Sequence, residues 1–402
     1  MTARKPTLAV VYDRGAVLPF EIARSLRPLA ELVFVVPPSD HAQQASKVLR
    51  ALGEVRALDD AMSGSRPDGV VTFSERMLGA TSRLAADWGL PGHSSDVVEL
   101  VTDKYAQRRR LAAAGVDPVR CHQLTRAGDW AAACDDVGLP AVLKPSHGEA
   151  SRDTFLVHDR RTGADLVDQL LRRTPALVVE EYLSGRPAQG VGDYVSVESI
   201  TSYAQTRHLA VTGKLPLVEP FRETGQFWPC QLSSDEQDEI TALTGKALEA
   251  LGITFGISHT EVKLTPHGPR IIEVNGRLGG HLADLALRSS NLDLVALAAK
   301  VALGENPRFE SNAPTAVHFQ HYSSGPADRV RVQSIPDGRE VSALEGVDHY
   351  RTFVQPGSIV AGGTATNQLD FLAGHAPTHP EMLTILDQAI PLLTFEFTTD
   401  VK

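Results

Sequence analysis

With 402 residues, 42% hydrophobic and 22% charged, the chain can bury a large interior and predicts two to four compact modules. A formal net charge of −10 opposes nucleic-acid phosphates, and no apolar run reaches the roughly 18 residues of a membrane-spanning helix. Cys121, Cys134 and Cys230 are widely spaced, which argues against a disulfide framework or a thiolate zinc site. The opening stretch has a strand-like apolar run where a signal peptide needs a longer apolar core, so the expected location is the cytoplasm.

From the N-terminus, apolar β-branched runs at 8–12, 31–36 and 69–73 alternate with helical patterns starting near Phe20 and Ala42. That alternation predicts a parallel α/β layer with helices on both faces. The first run ends in Tyr12-Asp13-Arg14-Gly15, which lacks the Gly-x-Gly-x-x-Gly turn of a dinucleotide fold. A single helix is expected over 95–114, with Lys104 in its middle and Gly115 as its stop. Its basic run, Arg108-Arg109-Arg110, reads as a solvated helix face.

A turn at Gly138-Leu139-Pro140 feeds a short strand ending at Lys144-Pro145, followed by a loop over 146–154 and a helix near 164–173. The apolar run 176–179 leads into Glu180-Glu181-Tyr182-Leu183-Ser184-Gly185, a strand entering a hinge. Further strands are expected at 192–200, 259–264 and 270–274, with a helix over 235–251. Thr265-Pro266-His267-Gly268-Pro269 should turn the second strand into the third, bringing Glu261 beside Glu273. Short strand patterns at 315–322 and 357–360 follow, separated by Gly and Pro.

The densest signal is Glu273-Val274-Asn275-Gly276-Arg277-Leu278-Gly279-Gly280. Strand alternation projects Glu273, Asn275 and Arg277 together. With Glu261 from the neighbouring strand they offer hard oxygen ligands and a cation, suited to Mg²⁺ and phosphate oxygens. An ordinary solvated sheet face with a salt-bridging arginine would carry the same residues. Lys144 at a strand end, beside a Ser/Gly loop, suits a phosphate, while an exposed strand-end lysine is the ordinary reading of the same residue.

In series, Lys104, Leu143-Lys144-Pro145, Glu180-Glu181-Tyr182-Leu183, Glu261 and Glu273-x-Asn275-x-Arg277 resemble the ATP-grasp enzymes over about 101–285. Gly192-Asp193-Tyr194-Val195-Ser196-Val197-Glu198, Thr212-Gly213-Lys214, Glu223-Thr224-Gly225 and His259-Thr260-Glu261-Val262-Lys263 look most like the carboxylate-amine (L-amino acid) ligase branch. The resemblance implies an ATP-grasp fold of the α/β (α+β) class, with an N-terminal Rossmann-like parallel domain and a small C-terminal β-rich subdomain. The expected divisions are 1–98, a helical connection 99–120, a lid lobe 121–183, a core lobe 184–312 with the metal site, and 313–402.

The same resemblance implies ATP and Mg²⁺, with Mn²⁺ as a substitute. Lys104 and Lys144 would contact phosphates, under the loop carrying Ser151. The backbone of Glu181 and Leu183, in the segment with Tyr182, and the side chain of Glu180 would hold adenine. Asp193, near Lys263, lies nearest to the family's ribose-binding acid, with an extra residue before the aromatic-Ser-Val-Glu pattern. Glu261, Glu273 and Asn275 would bind metal, while Arg277 and the amides of Gly279 and Gly280 would support the reacting centre.

Two departures stand out. The loop over 146–152 has one glycine and a Glu149 that would oppose phosphate, and His281 stands where some relatives carry a bulky pocket residue. His281 reads equally well as packing beside the following helix; Gln226 is a candidate pocket residue. The implied activity is ATP-dependent joining of a small carboxylate to an amine through an acyl phosphate. Carboxylation through carboxyphosphate and non-catalytic ATP binding are the alternatives. The expected partners are these small molecules, without nucleic acid or membrane, and a homodimer is the base-rate assembly.

Overall fold

The computed structural model describes residues 4–309 and 312–399. The first module is an all-parallel sheet in the order Glu54–Ala57, Glu31–Val36, Thr7–Val11, Gly69–Thr72. Period-two alternation sends Leu8, Val10 and Phe34 into one core and Ala9, Val11 and Val35 into another. Helix Leu78–Trp88 covers the second face through Leu84, Ala85 and Trp88. The first core is closed partly by Leu282–Ser290 and Leu294–Ala302, helices from far downstream in the chain. Gly15 answers a packing need: a Cβ there would lie 2.3 Å from the Phe73 carbonyl oxygen.

The expected single helix at 95–114 is two helices, Ser95–Thr102 and Lys104–Ala113. Asp103 is extended (φ −101°, ψ 108°), and its carboxylate accepts from the amides of Tyr105 and Ala106. This cap outweighs the continuous amphipathic pattern and puts Lys104 at a helix start. A positive φ of 68° at Gly115 follows the second helix.

The next module is a four-stranded antiparallel sheet in the order Cys121–Leu124, Leu177–Glu181, Ala141–Pro145, Phe155–Val157. Helices Trp130–Val137 and Arg160–Leu171 pack on it around Trp130, Leu143 and Val167. The largest sheet has eight antiparallel strands, beginning Gly268–Asn275, Gly256–Thr265, Tyr194–Ser202, Gln205–Lys214, Gly225–Trp228. It continues through Val317–His321, Asp370–Ala376 and Val347–Thr352. The expected division at 312 therefore falls inside a shared sheet, because Val317–His321 pairs directly with Gly225–Trp228. Only Ile359–Val360, Val330–Ser334 and Glu396–Thr398 form a separate three-stranded sheet among the described residues. No helix of the described residues is long and apolar enough to cross a membrane.

Candidate active site

The hairpin places Glu261 directly opposite Glu273, and His259 opposite Asn275. The ladder shifts between Glu261 and Val262, leaving Ile272 as the extra residue of a bulge. Behind it stands Arg108, 3% exposed, donating to the carbonyls of Ile271 (2.6 Å) and Ile272 (2.7 Å) and to Glu180 (3.0 Å). The solvated reading of the basic run thus fails for Arg108 and holds for Arg109 and Arg110, which are exposed.

Lys144 also pairs with Glu180, at 2.9 Å. Burial raises the pKa of Glu180, but Arg108 and Lys144 outweigh it and hold the carboxyl down at about 2. One oxygen, Oε1, is buried without a hydrogen-bond partner. An ionised carboxylate with an unused acceptor fits an exocyclic amine such as that of adenine. Glu181 donates its backbone amide to the Arg120 carbonyl (3.0 Å), so that amide is not open to an adenine ring. Its side chain pairs with Arg120 at 2.9 Å. Tyr182 lies on the adjoining turn near Asp193, whose charge, after burial, raises the tyrosine pKa. Asp193 pairs with Lys263 at 2.7 Å.

Around the hairpin, charges alternate in sign. Lys104 Nζ lies 3.1 Å from Glu273 Oε1 and donates to the Gly148 carbonyl at 2.8 Å. Arg277 pairs with Glu75 at 2.9 Å and donates to Asn275 Oδ1 at 3.3 Å. Glu75 follows the last parallel strand, so the N-terminal module supplies a carboxylate that sequence spacing gave no means of finding. His259 sits between Glu198 (2.7 Å) and Glu261 (3.4 Å). Burial would lower its pKa, but Glu198 and then Glu261 raise it to about 9. The resulting imidazolium, with Lys214 and Arg277, keeps the Glu261 carboxyl well below its ordinary range against the effect of burial. His259 was findable two residues from Glu261 on one strand face, and Glu198 lies directly across the ladder from it.

Two carboxylates and one amide, each giving one oxygen, would leave half of an octahedral Mg²⁺ shell to phosphate oxygens and water. Among the described residues no three His, Cys, Asp or Glu side chains form a fuller metal cage. The loop over 146–152 lies beside this cluster, with Ala150 and Ser151 at φ 55°. Its Glu149 is met by Arg76 at 2.6 Å, which offsets the charge expected to oppose phosphate.

Gly279 packs against the buried histidine: a Cβ there would lie 2.6 Å from His259 Nδ1. The Gly280 carbonyl accepts from Gln226 Nε2 at 2.9 Å. Lys214, 2% exposed, donates to Glu223 (3.1 Å) and to Gln226 (3.2 Å). His281 occupies the N-cap of helix Leu282–Ser290 at φ 59°, bonds Gln368 at 2.8 Å, and packs 4.9 Å from the Phe371 ring. Leu183 is half-buried beyond Tyr182 at the hinge.

A parallel sheet, a four-stranded antiparallel sheet and a carboxylate-bearing hairpin beside the 146–152 loop fit an ATP-grasp architecture, and the ATP-grasp domain model matches residues 101–281. Residues 101–281 thus belong to the ATP-grasp domain family, and the chain's relatives include ligases that act on amino acids. It is 30% identical over 339 residues to an uncharacterized protein of Sinorhizobium fredii, covering 80% of this chain and 66% of that one. It is 26% identical over 259 residues to the alanine–anticapsin ligase of Bacillus subtilis, covering 60% and 53% of the two chains. The chain thus spans between about half and two thirds of these curated relatives. Its fold matches the solved L-amino acid ligase from Bacillus licheniformis with a TM-score of 0.79 at 20% identity, over 99% of this chain and 100% of that one.

Proposed function

We propose that the chain is an ATP-dependent, Mg²⁺-using ligase that joins a small carboxylate, such as an amino acid, to an amine or second amino acid. The observation that carries this reading is the register-paired Glu261 and Glu273, flanked by Lys104 and Arg277 and standing near the partnerless oxygen of Glu180. Glu261, Glu273 and Asn275 are the metal ligands in this reading, and Mn²⁺ would serve in place of Mg²⁺. The bound ion supplies charge neutralisation at the phosphate oxygens.

Glu180 orients adenine, Asp193 faces the ribose, and Lys104 and Lys144 offer positive charge to the phosphates. The 146–152 loop covers them and limits water. The substrate carboxylate attacks the γ-phosphorus; the bond to the β-phosphate oxygen breaks, giving an acyl phosphate and ADP. Arg277 and the amides of Gly279 and Gly280 stabilise the oxyanion as the amine attacks the acyl carbon. The carbon–oxygen bond to phosphate then breaks, the nitrogen loses a proton, and an amide remains.

Phosphate release with MgATP, screened over pairs of amino acids and simple amines with mass spectrometry of active mixtures, tests this reading. Release requiring two substrates, with a product one water lighter than their sum, is expected. Incorporation of labelled bicarbonate would replace it with a carboxylase. ATP binding without phosphate release in any mixture would overturn the catalytic reading.

A further inference from the structure

The strands Gly225–Trp228 and Val317–His321 place Gln226 opposite Gln320 on one sheet face. Both amides are buried, at 1% and 0% exposure. Their orientation is fixed by what surrounds them. Lys214 carries only donors, so the atom of Gln226 facing it at 3.2 Å is Oε1. Gln226 Nε2 therefore faces the Gly280 carbonyl (2.9 Å) and Gln320 Oε1 (3.0 Å). Gln320 Nε2 in turn faces the His281 carbonyl (3.2 Å) and Asp284 Oδ2 (3.0 Å).

The result is a one-way chain of donors: the Lys214 ammonium to Gln226, Gln226 to Gln320, Gln320 to Asp284. Each end is anchored by an opposite charge, Glu223 on Lys214 and Arg288 on Asp284 at 3.0 Å. Successive bonds of the same sense polarise one another. Along its length the chain grips two consecutive carbonyls, Gly280 and His281, at the segment where His281 takes φ 59°. A peptide plane held by its oxygen also fixes the direction of the amide on its other side, here the N–H of His281 and of Leu282 just beyond the two glycines. Gly280 has no side-chain constraint of its own, since a Cβ there would meet nothing within 4 Å.

From this geometry we infer that Gln226 and Gln320 are positioning residues: they act through the Gly280 and His281 carbonyls to hold the glycine segment after Arg277 in its working orientation. This rests on the ligase reading for its catalytic consequence, but not for its structural one. It also assigns Gln226 a role other than contact with a substrate side chain, since both ends of its amide are occupied.

The test replaces each glutamine by the isosteric acid, Gln226→Glu and Gln320→Glu, which removes the donor while preserving shape. Hydrogen exchange of the peptide containing residues 279–282, measured on the folded full chain with MgADP, should speed up at least about fivefold in both variants. Exchange in the parallel sheet should stay unchanged. With the amino-acid pair that turns over fastest in the wild type, kcat should fall about tenfold or more while KM for ATP stays within twofold. The double variant should be little worse than the poorer single one, because both break one chain. Unchanged exchange over 279–282 would overturn the clamp. So would a change confined to KM for one amino acid, which would make Gln226 a substrate contact. If the wild type turns over no pair, the ligase reading fails while the exchange result still decides the clamp.

Discussion

The ammonium of Lys104 rests 3.1 Å from a carboxylate oxygen of Glu273, so a cation suited to phosphate occupies the side of a carboxylate suited to metal. Nucleotide and metal arriving together would take over both charges. Metal arriving alone would compete with Lys104. Lys104→Met should therefore tighten Mn²⁺ binding without nucleotide and weaken ATP binding, each by about tenfold, the scale of one charge-assisted bond. Electron paramagnetic resonance of Mn²⁺ and calorimetry with ATP measure the two. Changes of the same sign would contradict the exchange.

Glu261→Ala and Glu273→Ala should each reduce turnover by about a hundredfold or more at saturating Mg²⁺, since each removes one of two facing carboxylates. Both variants should remain folded, with Glu261→Ala melting lower than Glu273→Ala because it also strips a partner from His259. Turnover near that of the wild type would remove the metal assignment.

Arg108→Met should destabilise the fold by about 3 kcal/mol or more, because it strips a buried cation from Glu180 and from two strand carbonyls. Denaturant titration against the wild type measures this. A loss below about 1 kcal/mol would mean that Lys144 alone satisfies Glu180.

These residues also mark where the sequence was readable. Glu261, Glu273 and Asn275 follow from strand alternation across a turn of Pro and Gly, a local pattern with one outcome. Lys104 was recognisable as a residue but not as a helix start, because Asp103 can continue a helix or cap one and only its extended backbone decides. Arg108 was missed for a different reason: three adjacent arginines on a helix point in different directions, and one points into the protein. Glu75, Gln320 and Asp284 reach the site through long-range packing, which no local spacing encodes. The helices over 282–302 carry apolar faces, but nothing in them says that they cover the N-terminal sheet.

The His259 pKa of about 9 lies above its ordinary 6.5, so its pairing with Glu198 and Glu261 stabilises the fold fully below about pH 6.5. That contribution falls as pH rises through about 9. In metal-free, nucleotide-free protein, the melting-temperature gap between wild type and His259→Asn should be constant below pH 6.5 and shrink towards pH 10. A gap that grows with pH would reverse the assignment.

Arg76→Ala should raise KM for ATP about threefold by freeing the charge of Glu149 beside the phosphate loop, a modest effect because the pair is partly exposed. Adding Glu149→Gln should restore KM. Equal KM in all three proteins would show that this loop charge is silent.

The loop over 146–152 is tied from several parts of the chain at once. Lys104 holds Ser146 and Gly148, Arg76 holds Glu149, and Thr366 and Thr364 of the C-terminal segment hold Ala150 and Ser151. Each tie is weak alone, and they come from regions that share no helix or strand. As the cover of the proposed site, this loop would open only when these distant segments let go together. Single surface substitutions should alter how often it opens far less than changes that loosen two of its moorings at once.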